Sequence, residues 1–580
     1  RPEDLPAVLA AIAAAPDADV VDSSGKTARF TSLLGSPFLA DLARMSEVES
    51  LIPYTEPKLY CDFGRRLIGI QTINQPAPES PAAPGEAPPG ERWTGEGEVV
   101  GLLDSGLDAT HPDFAGRVLE AVSYRGCPID DGIGHGTHVA GIITGTGASS
   151  AGRIRGVAPG ARLVVVAMVG ADRTLKLPID LGDLLSEATR RGAKIVNISW
   201  GSPLGGAYES GSASVDRFVR TNPDVLVVIA AGNEGTAPNG TFGFKSVGAP
   251  ASAKNALTVG ACASDRTGID LTWSAFRPAS FGQPPASMER VAGDPDLPAA
   301  ISSRGPTDFD GVKPDLLAPG TFILAPRAAR IDPKLCWKDD DEDSRYVFIG
   351  GTSMAAPIVA GAAAVLRGYL REQLGIASPS AALLKGLLLT ATRRLPSRRP
   401  EMNALIGYPD FDQGFGRLDL AAILPHAGAP VKRKIVFADV PNESAGALES
   451  RMPPGAARKS IRAYKVTVAA GATEPLIATL AWTDLPGNDI QNNLQIDART
   501  PDGSALVGNP EHHFRRDPLF DDLNLNGVPY DKRNSIEQVR FPAPVPGDYV
   551  FRVIAQNTLS PQGYALCVCG ELDSALVEST

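Results

Sequence analysis

Cysteine is scarce in this chain, with six among 580 residues. Six are too few for a disulfide scaffold in a protein of this size. Cys567 and Cys569 lie two residues apart, on one face of a strand, and we do not expect them to pair with each other. No apolar run approaches the ~20 residues that cross a bilayer, and no signal peptide is visible. We therefore expect no membrane partner, although a chain that begins at Arg1 rather than Met says little about its compartment.

Positive charge is also in short supply, because 55 Lys and Arg face 66 Asp and Glu, a net charge of −11. A nucleic-acid partner needs a basic face, so we expect none. Hydrophobic content is ordinary, at 43 %. At about 100–200 residues per domain, the length predicts about three domains.

The N-terminal region reads as a small α+β module over residues 1–74. Helical patterns cover 3–15 and 37–46, and strand patterns cover 18–23, 27–33 and 48–54. This order, αββαβ, is a ferredoxin-like unit without its first strand, which we expect before Arg1. Residues 75–92 are rich in Pro and Ala and indicate an exposed linker, with an ordered surface loop as the alternative.

From 93 to 428, unbroken apolar strands alternate with helical patterns, which is typical of an α/β domain with a parallel sheet covered on both faces. From 429 to 580, short alternating strands are separated by turns rich in Pro, Gly and Asn, which predicts an antiparallel β-sandwich. The strand and helix patterns of the α/β domain span the following ranges: 98–103, 138–145, 162–169, 181–192, 194–199, 212–221 and 225–231.

Three strands of the α/β domain end on residues that suggest chemistry: Asp104, the segment 199–201, and Asn233. Functional groups collect at the carboxyl ends of parallel strands, so these groups should meet at one edge of the sheet. His135 and Ser353 each begin a helical pattern. Free N–H groups at a helix start favour negative charge on an oxyanion, and the Asn233 amide can add a second donor.

Each of these signals has an ordinary explanation when it stands alone. A serine at a helix start is usually an N-cap, and an aspartate at a strand end is usually a turn residue. His138 is expected to be a core histidine. However, DSG, HGTHVAG, SWG, AAGNEG and GTSMAAP occur in this order, and SSRGPT and KPDLLAPG follow AAGNEG.

Together these motifs resemble the subtilisin family of serine peptidases, over roughly residues 93–428. The resemblance implies a triad of Asp104, His135 and Ser353, with Asn233 as the oxyanion residue. It implies acyl transfer without a cofactor. The αββαβ pattern of residues 1–74 resembles the inhibitory propeptides that precede many subtilases, so we expect a prodomain-like module there, with a permanently attached accessory domain as the alternative.

Substrate is expected to bind as an extended strand along Ser199, Trp200 and Gly201, with Trp200 as an apolar wall. The primary pocket is expected to be lined on its other side by Ala230, Ala231 and Gly232, which leave room for a sizeable side chain. No carboxylate lies on these two segments, so we expect an apolar P1 preference.

The region after 429 resembles the C-terminal jelly roll of a subset of alkaline subtilases, whose members often bind calcium there. The usual pair of aspartates falls on Asn493 and Gln495 in this chain, which puts one calcium site in doubt. Asp521, Asp522 and Asp531 are alternative oxygen ligands for a structural calcium, or belong to a solvated acidic loop. The acidic run 339–343 is a solvated loop, a calcium site or a rim that repels acidic substrates.

Three functions are open at this point. The first is an extracellular or secreted endopeptidase of broad specificity. The second is a dedicated processing peptidase that acts on one partner or on itself, and the third is a binding module with an inert peptidase domain. The complete set of catalytic groups disfavours the third, polypeptides are the expected partners of the other two, and the sequence does not indicate an oligomeric state.

Overall fold

A computed structural model describes the chain over residues 5–16, 18–24, 27–32, 36–48, 62–74, 92–237, 239–266, 268–396, 407–426, 428–430, 432–442, 444–451, 458–512 and 531–579. The chain divides into two compact units, Arg1–Leu59 and Tyr60–Thr580.

The smaller unit has the element order α, β, β, α, as predicted for this region. Ile12, Ala18 and Leu42 form its buried core. The strand predicted over 48–54 lies outside the described residues except for Val48, so the ferredoxin-like assignment stays a prediction. The four elements are Leu5–Ala14 (α1), Ala18–Ser24 (β1), Thr27–Ser32 (β2) and Pro37–Leu42 (α2), with β1 and β2 antiparallel.

The larger unit begins with two short helices, Asp62–Leu67 (α3) and Ile70–Asn74 (α4). Three isoleucines of this part of the chain are buried in the main hydrophobic core: Ile68, which follows α3, and Ile70 and Ile73 in α4. The boundary predicted at residue 74 therefore moves to 59, because these apolar side chains are buried with the larger unit. The predicted linker 75–92 lies outside the described residues except for Arg92.

A nine-stranded sheet, counted within the described residues, runs through the larger unit in the order β13-β14-β9-β8-β7-β6-β3-β5-β4. All neighbours are parallel except β13 and β14. The predicted α/β fold with a parallel sheet is thus confirmed. Its strands are Val99–Asp104 (β3), Val118–Ser123 (β4), Arg162–Ala167 (β5), Ile195–Ile198 (β6), Leu226–Ala230 (β7), Leu257–Cys262 (β8), Leu316–Pro319 (β9), Thr392–Arg393 (β13) and Arg417–Leu418 (β14). A small antiparallel sheet contains Ile323–Pro326 (β10), Lys338–Asp339 (β11) and Tyr346–Ile349 (β12).

Six helices accompany these strands: His135–Thr144 (α5), Leu181–Thr189 (α6), Ser210–Thr221 (α7), Trp273–Phe276 (α8), Thr352–Leu374 (α9) and Ala381–Thr390 (α10). The helix α9 packs against β3, β6, β7, β8 and β9. By length and composition alone α9 could cross a membrane, a property that our reading of the apolar runs missed. Its most apolar stretch is 94 % buried inside the protein, as expected for a central core helix.

The C-terminal region forms two antiparallel sheets, ordered β15-β24-β19-β22 and β21-β20-β23-β18-β25. Side chains from both sheets, including Leu480, Val568, Ile496 and Phe551, share one core, so the predicted β-sandwich is present. The helix α10 packs on β19 and β24 and joins the sandwich to the parallel sheet. The strands are Arg433–Val440 (β15), Ser450–Arg451 (β16), Arg458–Lys459 (β17), Ile461–Val468 (β18), Leu476–Ala481 (β19), Asn493–Arg499 (β20), Ala505–Val507 (β21), Ile536–Phe541 (β22), Gly547–Asn557 (β23), Tyr564–Glu571 (β24) and Val577–Ser579 (β25).

Candidate active site

An aspartate and a histidine meet at the carboxyl edge of the parallel sheet. Asp104 is the last residue of β3 and His135 is the first residue of α5. His135 Nδ1 lies 2.7 Å from Asp104 Oδ1. The Ser105 N–H donates to the same oxygen at 2.7 Å, which holds the carboxylate in place. Because the carboxylate accepts a hydrogen bond from Nδ1–H, the basic atom of the ring is Nε2.

The pKa of His135 lies above its ordinary value. Burial acts to lower this pKa, but the charges of Asp104 and Asp131 and the hydrogen bond to Asp104 raise it by more. The site therefore stabilises the protonated ring, which is the form that a general base takes after it accepts a proton.

Asp131 holds the start of the helix that carries His135, a role that our sequence analysis missed. Its Oδ1 accepts the N–H of Gly134 at 2.7 Å, and its Oδ2 accepts the N–H of Thr137 at 2.8 Å. Ser105 Oγ donates to Asp131 at 2.8 Å and accepts the N–H of Gly136 at 2.8 Å. The N-cap, Gly134, has no side chain to satisfy these donors, so an acidic residue shortly before a helix with a glycine N-cap was the available signal.

His138 is a core histidine, as expected. Its Nε2 lies 3.1 Å from the carbonyl of Val347 and 3.2 Å from that of Ile323, and the residue is fully buried. Burial lowers the pKa of His138 to about 3, so the ring stays neutral. It ties α5 to the small antiparallel sheet and does not take part in the site.

Ser353 is the second residue of α9, at the edge where Asp104 and His135 meet. Its hydroxyl donates to the carbonyl of Ser199 at 2.9 Å, and Ser199 Oγ donates to the carbonyl of Ser353 at 2.9 Å. No hydrogen bond joins Ser353 to His135, although the structure describes both side chains. Contacts of this kind often form only when substrate binds.

Asn233 is held beside the start of α9 by Thr352. Its Oδ1 accepts the N–H of Thr352 at 2.9 Å and the Thr352 hydroxyl at 3.2 Å. This orientation leaves Nδ2 available as a donor, since it has no acceptor among the described residues. Gly351 lies close by, and a Cβ added there would come within 3.2 Å of Asn233 Nδ2. Thr352 was missed because its partner is 119 residues away in the sequence.

The segment 301–304 supports the loop that carries Asn233. The N–H of Gly235 donates to Ile301 O at 3.0 Å, and the N–H of Glu234 donates to Ser303 Oγ at 3.0 Å. The guanidinium of Arg304 donates to Gly235 O at 2.6 Å, and burial lowers the pKa of Arg304 to about 10. The SSRGPT motif thus supports the loop that carries Asn233 through both main-chain and side-chain hydrogen bonds.

A cleft of about 200 Å³ adjoins Ser353. Five of the six predicted substrate-binding residues line it, together with Asn233 and Thr352. The Trp200 Nε1–H donates to Leu103 O at 2.9 Å, which fixes the indole against β3. The lining residues are Ser199, Trp200, Gly201, Ser202, Pro203, Ala230, Gly232, Asn233, Glu234, Gly248, Thr352 and Ser353.

The cleft departs from the prediction at Ala231 and Glu234. Ala231 does not line it: the residue is fully buried, its N–H donates to Val259 O, and its carbonyl accepts the N–H of Gly248. Successive residues of an extended chain face opposite sides, so Ala230 and Gly232 face the cleft instead. Glu234 does line the cleft and adds a carboxylate that the two predicted segments lack.

The acidic run 339–343 is neutralised by basic side chains of the same region. Arg153 pairs with Asp340 and Glu342, while Arg327 pairs with Asp339. Lys338 and Arg345 pair with the remaining two carboxylates. These carboxylates belong to a self-paired loop rather than a set of metal ligands.

Asp531 is the only one of the three proposed calcium ligands within the described residues. One oxygen accepts the N–H of Arg533 at 2.9 Å, and the other accepts the amides of Asn509 at 2.7 Å and Asn534 at 2.9 Å. Donors that point at both oxygens do not fit a cation at this position. Within the described part of the chain, no group of three or more His, Cys, Asp or Glu could hold a metal. Asp521 and Asp522 lie outside it.

Comparison with known proteins gives a match to the model of the Subtilase family over residues 95–416. The chain is 25 % identical over 562 residues to the serine protease/ABC transporter B family protein tagA of Dictyostelium discoideum, covering 82 % of this chain and 30 % of that protein. It is 30 % identical over 295 residues to serine protease AprX of Bacillus subtilis (strain 168), covering 48 % and 58 %.

Subtilisin BL of Lederbergia lenta is 32 % identical over 276 residues, covering 47 % of this chain and 77 % of that protein. The chain therefore spans less than two thirds of the length of the first two relatives and most of the length of the third.

Proposed function

The chain belongs to the subtilase family of serine peptidases, whose pattern extends over more than half of its length, and we propose that it is an endopeptidase of extended polypeptides. The proposal assigns the nucleophile to Ser353, the general base to His135 and the orienting carboxylate to Asp104. The 2.7 Å contact between His135 Nδ1 and Asp104, at the sheet edge where α9 presents Ser353, is the observation that carries it.

In the proposed reaction, Ser353 Oγ attacks the scissile carbonyl carbon while His135 Nε2 takes the hydroxyl proton. A C–O bond forms and the carbonyl π electrons move to oxygen. Asp104 keeps the ring tautomer and stabilises the imidazolium. His135 then gives its proton to the leaving amine as the C–N bond breaks. Water, deprotonated by His135, then attacks the acyl carbon. The bond from that carbon to Ser353 Oγ breaks, Oγ takes the proton back from His135, and the carboxylic acid leaves.

The oxyanion is proposed to accept hydrogen bonds from Asn233 Nδ2 and the N–H of Ser353. Both donors lie at the start of α9, where unpaired N–H groups also favour negative charge. They are positioned before substrate arrives, because Thr352 fixes the Asn233 amide. Such preorganised donors stabilise charge that develops mainly in the transition state.

The substrate is proposed to lie along Ser199–Gly201 by main-chain hydrogen bonding, with P1 in the cleft beside Ala230 and Gly232. Trp200 and the small residues support an apolar P1 preference, while the Glu234 carboxylate at the same cleft favours tolerance of a basic P1 residue. A proteome-derived peptide library separates broad specificity from a dedicated processing role. Cleavage at many sites that share only a P1 class supports the first, and cleavage of a single motif supports the second.

The central proposal is tested by labelling with a fluorophosphonate probe and by Ser353→Ala. We expect the probe to label Ser353 and the variant to lose peptide hydrolysis by about 10⁴-fold or more, the range known for triad removal in this family. Circular dichroism should show an unchanged fold. A labelled residue other than Ser353, or near-normal turnover by Ser353→Ala, would overturn the assignment.

Two further proposals concern the ligands of a structural calcium ion and the location of the protein. The carboxylate oxygens of Asp531 are engaged by N–H donors, so we propose calcium ligands only at Asp521 and Asp522. We propose a secreted location from the family resemblance, and fractionation of the producing cells tests it. A protein found entirely inside those cells would contradict it.

A further inference from the structure

One wall of the substrate cleft is an irregular segment, 247–250, between β7 and β8. Gly248 lines the cleft. The N–H of Ala249 donates to Ser202 O at 2.9 Å, and the N–H of Ser202 donates to Ala249 O at 2.8 Å. This wall segment therefore pairs directly with the strand-like segment 199–202 on which substrate is proposed to lie.

The wall segment continues into Lys254, a lysine whose side chain is 1 % exposed. Its ammonium group donates to three acceptors: Asp484 Oδ2 at 2.7 Å, Leu485 O at 2.9 Å and Asp489 O at 2.6 Å. All three belong to the C-terminal sandwich, in the loop between β19 and β20. All three N–H donors of the ammonium group therefore bond to a single loop of the C-terminal sandwich.

Asn255 strengthens the same connection. Its Nδ2 donates to Asp484 O at 2.8 Å, and the N–H of Asp484 donates to Asn255 Oδ1 at 2.7 Å. The Asp484 carboxylate, 0 % exposed, also accepts the N–H groups of Gln491 and Asn492 at 2.8 Å each. The Asp484 loop is therefore held by hydrogen bonds of its own in addition to those from Lys254 and Asn255.

We propose that Lys254 and Asp484 are positioning residues of the substrate cleft, through which the C-terminal sandwich holds the wall segment 247–250 in register with 199–202. Neither residue touches the reacting atoms. The inference rests on the proposed peptidase function and adds to it that the sandwich sets the binding of extended substrates.

An irregular segment such as 247–250 has no ladder of strand hydrogen bonds along its length to define its position. The main chain of residues 247–256 is held at several points, including Gly248 N–H to Ala231 O at 2.9 Å and Lys254 O to Lys385 Nζ at 2.8 Å, and the buried pair with Asp484 adds the side-chain link to the sandwich. Breaking that pair loosens the wall without altering Asp104, His135 or Ser353, which lie on β3, α5 and α9. Interactions that hold substrate equally in the ground and transition states appear in KM rather than in kcat.

The test compares Lys254→Met with Arg220→Met as a matched control. Arg220 also joins the two layers, since it donates from α7 to Asn442 and Thr483 at 2.7 Å and to Gln562 at 2.9 Å, and its replacement leaves in place the bonds from Lys254 and Asn255 to Asp484. In Lys254→Met, Asp484 keeps its two main-chain donors. A second variant, Asp484→Asn, keeps the side-chain shape and leaves Lys254 its two carbonyl acceptors.

We expect Lys254→Met to raise KM for a hexapeptide by about tenfold with kcat little changed, as misplacement of a binding wall predicts. The rate of fluorophosphonate labelling, which needs only the serine and its oxyanion site, should stay within about twofold. Arg220→Met should leave both unchanged. An unaltered KM in folded Lys254→Met and Asp484→Asn, or an equal rise in Arg220→Met, would overturn the proposal.

Hydrogen–deuterium exchange gives a readout that does not depend on turnover. The Ala249 amide, which donates to Ser202 O, should exchange faster in Lys254→Met or Asp484→Asn than in Arg220→Met. Equal exchange in all variants would contradict the proposal even if the parent protein hydrolyses no peptide. Failure of the parent to label with fluorophosphonate would instead contradict the proposed function.

Discussion

At the scale of single residues, His135 lies near two carboxylates with different tasks. Asp104 accepts directly from the ring, whereas Asp131 accepts main-chain N–H groups at the start of α5 and acts on the ring through its charge. Asp104 sets the ring tautomer of the proposed base, and Asp131 sets the position of the helix start that carries it.

Asp131→Asn should lower kcat/KM by about tenfold to a hundredfold, because an amide NH₂ cannot accept the helix N–H groups and α5 shifts. The acid limb of the pH profile of kcat/KM should move to lower pH. Neutral His135 is the active form, Asp131 raises the pKa of His135, and its removal lets the ring stay neutral at lower pH.

Steady-state kinetics over a range of pH measures both effects. Asp130→Asn is the matched control, since Asp130 is the exposed neighbouring aspartate. If the two variants share one acid limb with the parent, the Asp131 charge does not influence His135.

Asn233→Ala should lower kcat by about 10²–10³ with little change in KM, the range found for the corresponding amide of subtilisin. The reason is that Nδ2 meets its acceptor mainly after the oxyanion has formed. The measurement is kcat and KM on one peptide substrate. A rise in KM with normal kcat would make Asn233 a substrate-binding residue instead.

At the scale of elements, α9 combines two tasks. Its long apolar body packs against five strands of the sheet, while its first turn carries Thr352 and Ser353. The N-cap of the helix is Gly351, whose φ of 142° is a conformation that favours glycine. A rigid core helix thus places the proposed nucleophile with little freedom.

Gly351→Ala should lower kcat strongly and destabilise the protein by about 1–3 kcal/mol. The positive φ strains any residue with a Cβ, and the added carbon comes within 3.2 Å of the Asn233 amide. Gly375→Ala is the control at the other end of the same helix, with φ at 69° and no atom within 4 Å of the added carbon.

Both variants should lose stability, measured by urea unfolding, and only Gly351→Ala should lose kcat. A similar kcat in the two variants would mean that the start of α9 tolerates a displaced Asn233.

At the scale of the whole molecule, we expect the N-terminal module to act as an inhibitory prodomain, as the resemblance of residues 1–74 implies. The compact units now set where a deletion can be made. A form that starts at Trp93 also removes Ile68, Ile70 and Ile73 from the core of the larger unit. A form that starts at Tyr60 removes only the smaller unit.

We expect the form starting at Trp93 to be less stable by about 5 kcal/mol or more, because three buried isoleucine side chains leave the core. The form starting at Tyr60 should keep its thermal transition and be more active than the full chain after active-site titration. Added residues 1–59 should reduce that activity. Equal activity of the full chain and the form starting at Tyr60, with no inhibition by added 1–59, would mean that the smaller unit is an accessory domain and not an inhibitor.

The sequence alone determined the fold class and the residues proposed for catalysis, because those signals are local. Apolar strands such as Val99–Asp104 and helix starts at His135 and Thr352 reflect the period of side-chain burial along a few neighbouring residues. The order of the motifs on strand ends and helix starts then predicted that Asp104, His135 and Ser353 lie at one edge of a parallel sheet.

Only the tertiary structure decided which side chains hold that edge in place. The contact of Thr352 with Asn233 joins residues 119 apart, and that of Lys254 with Asp484 joins residues 230 apart. The burial of Ala231 and the inclusion of Ile68 in the larger core depend equally on distant neighbours. A local pattern carries no information about such partners, because a hydrogen bond between distant segments forms only after packing has brought them together.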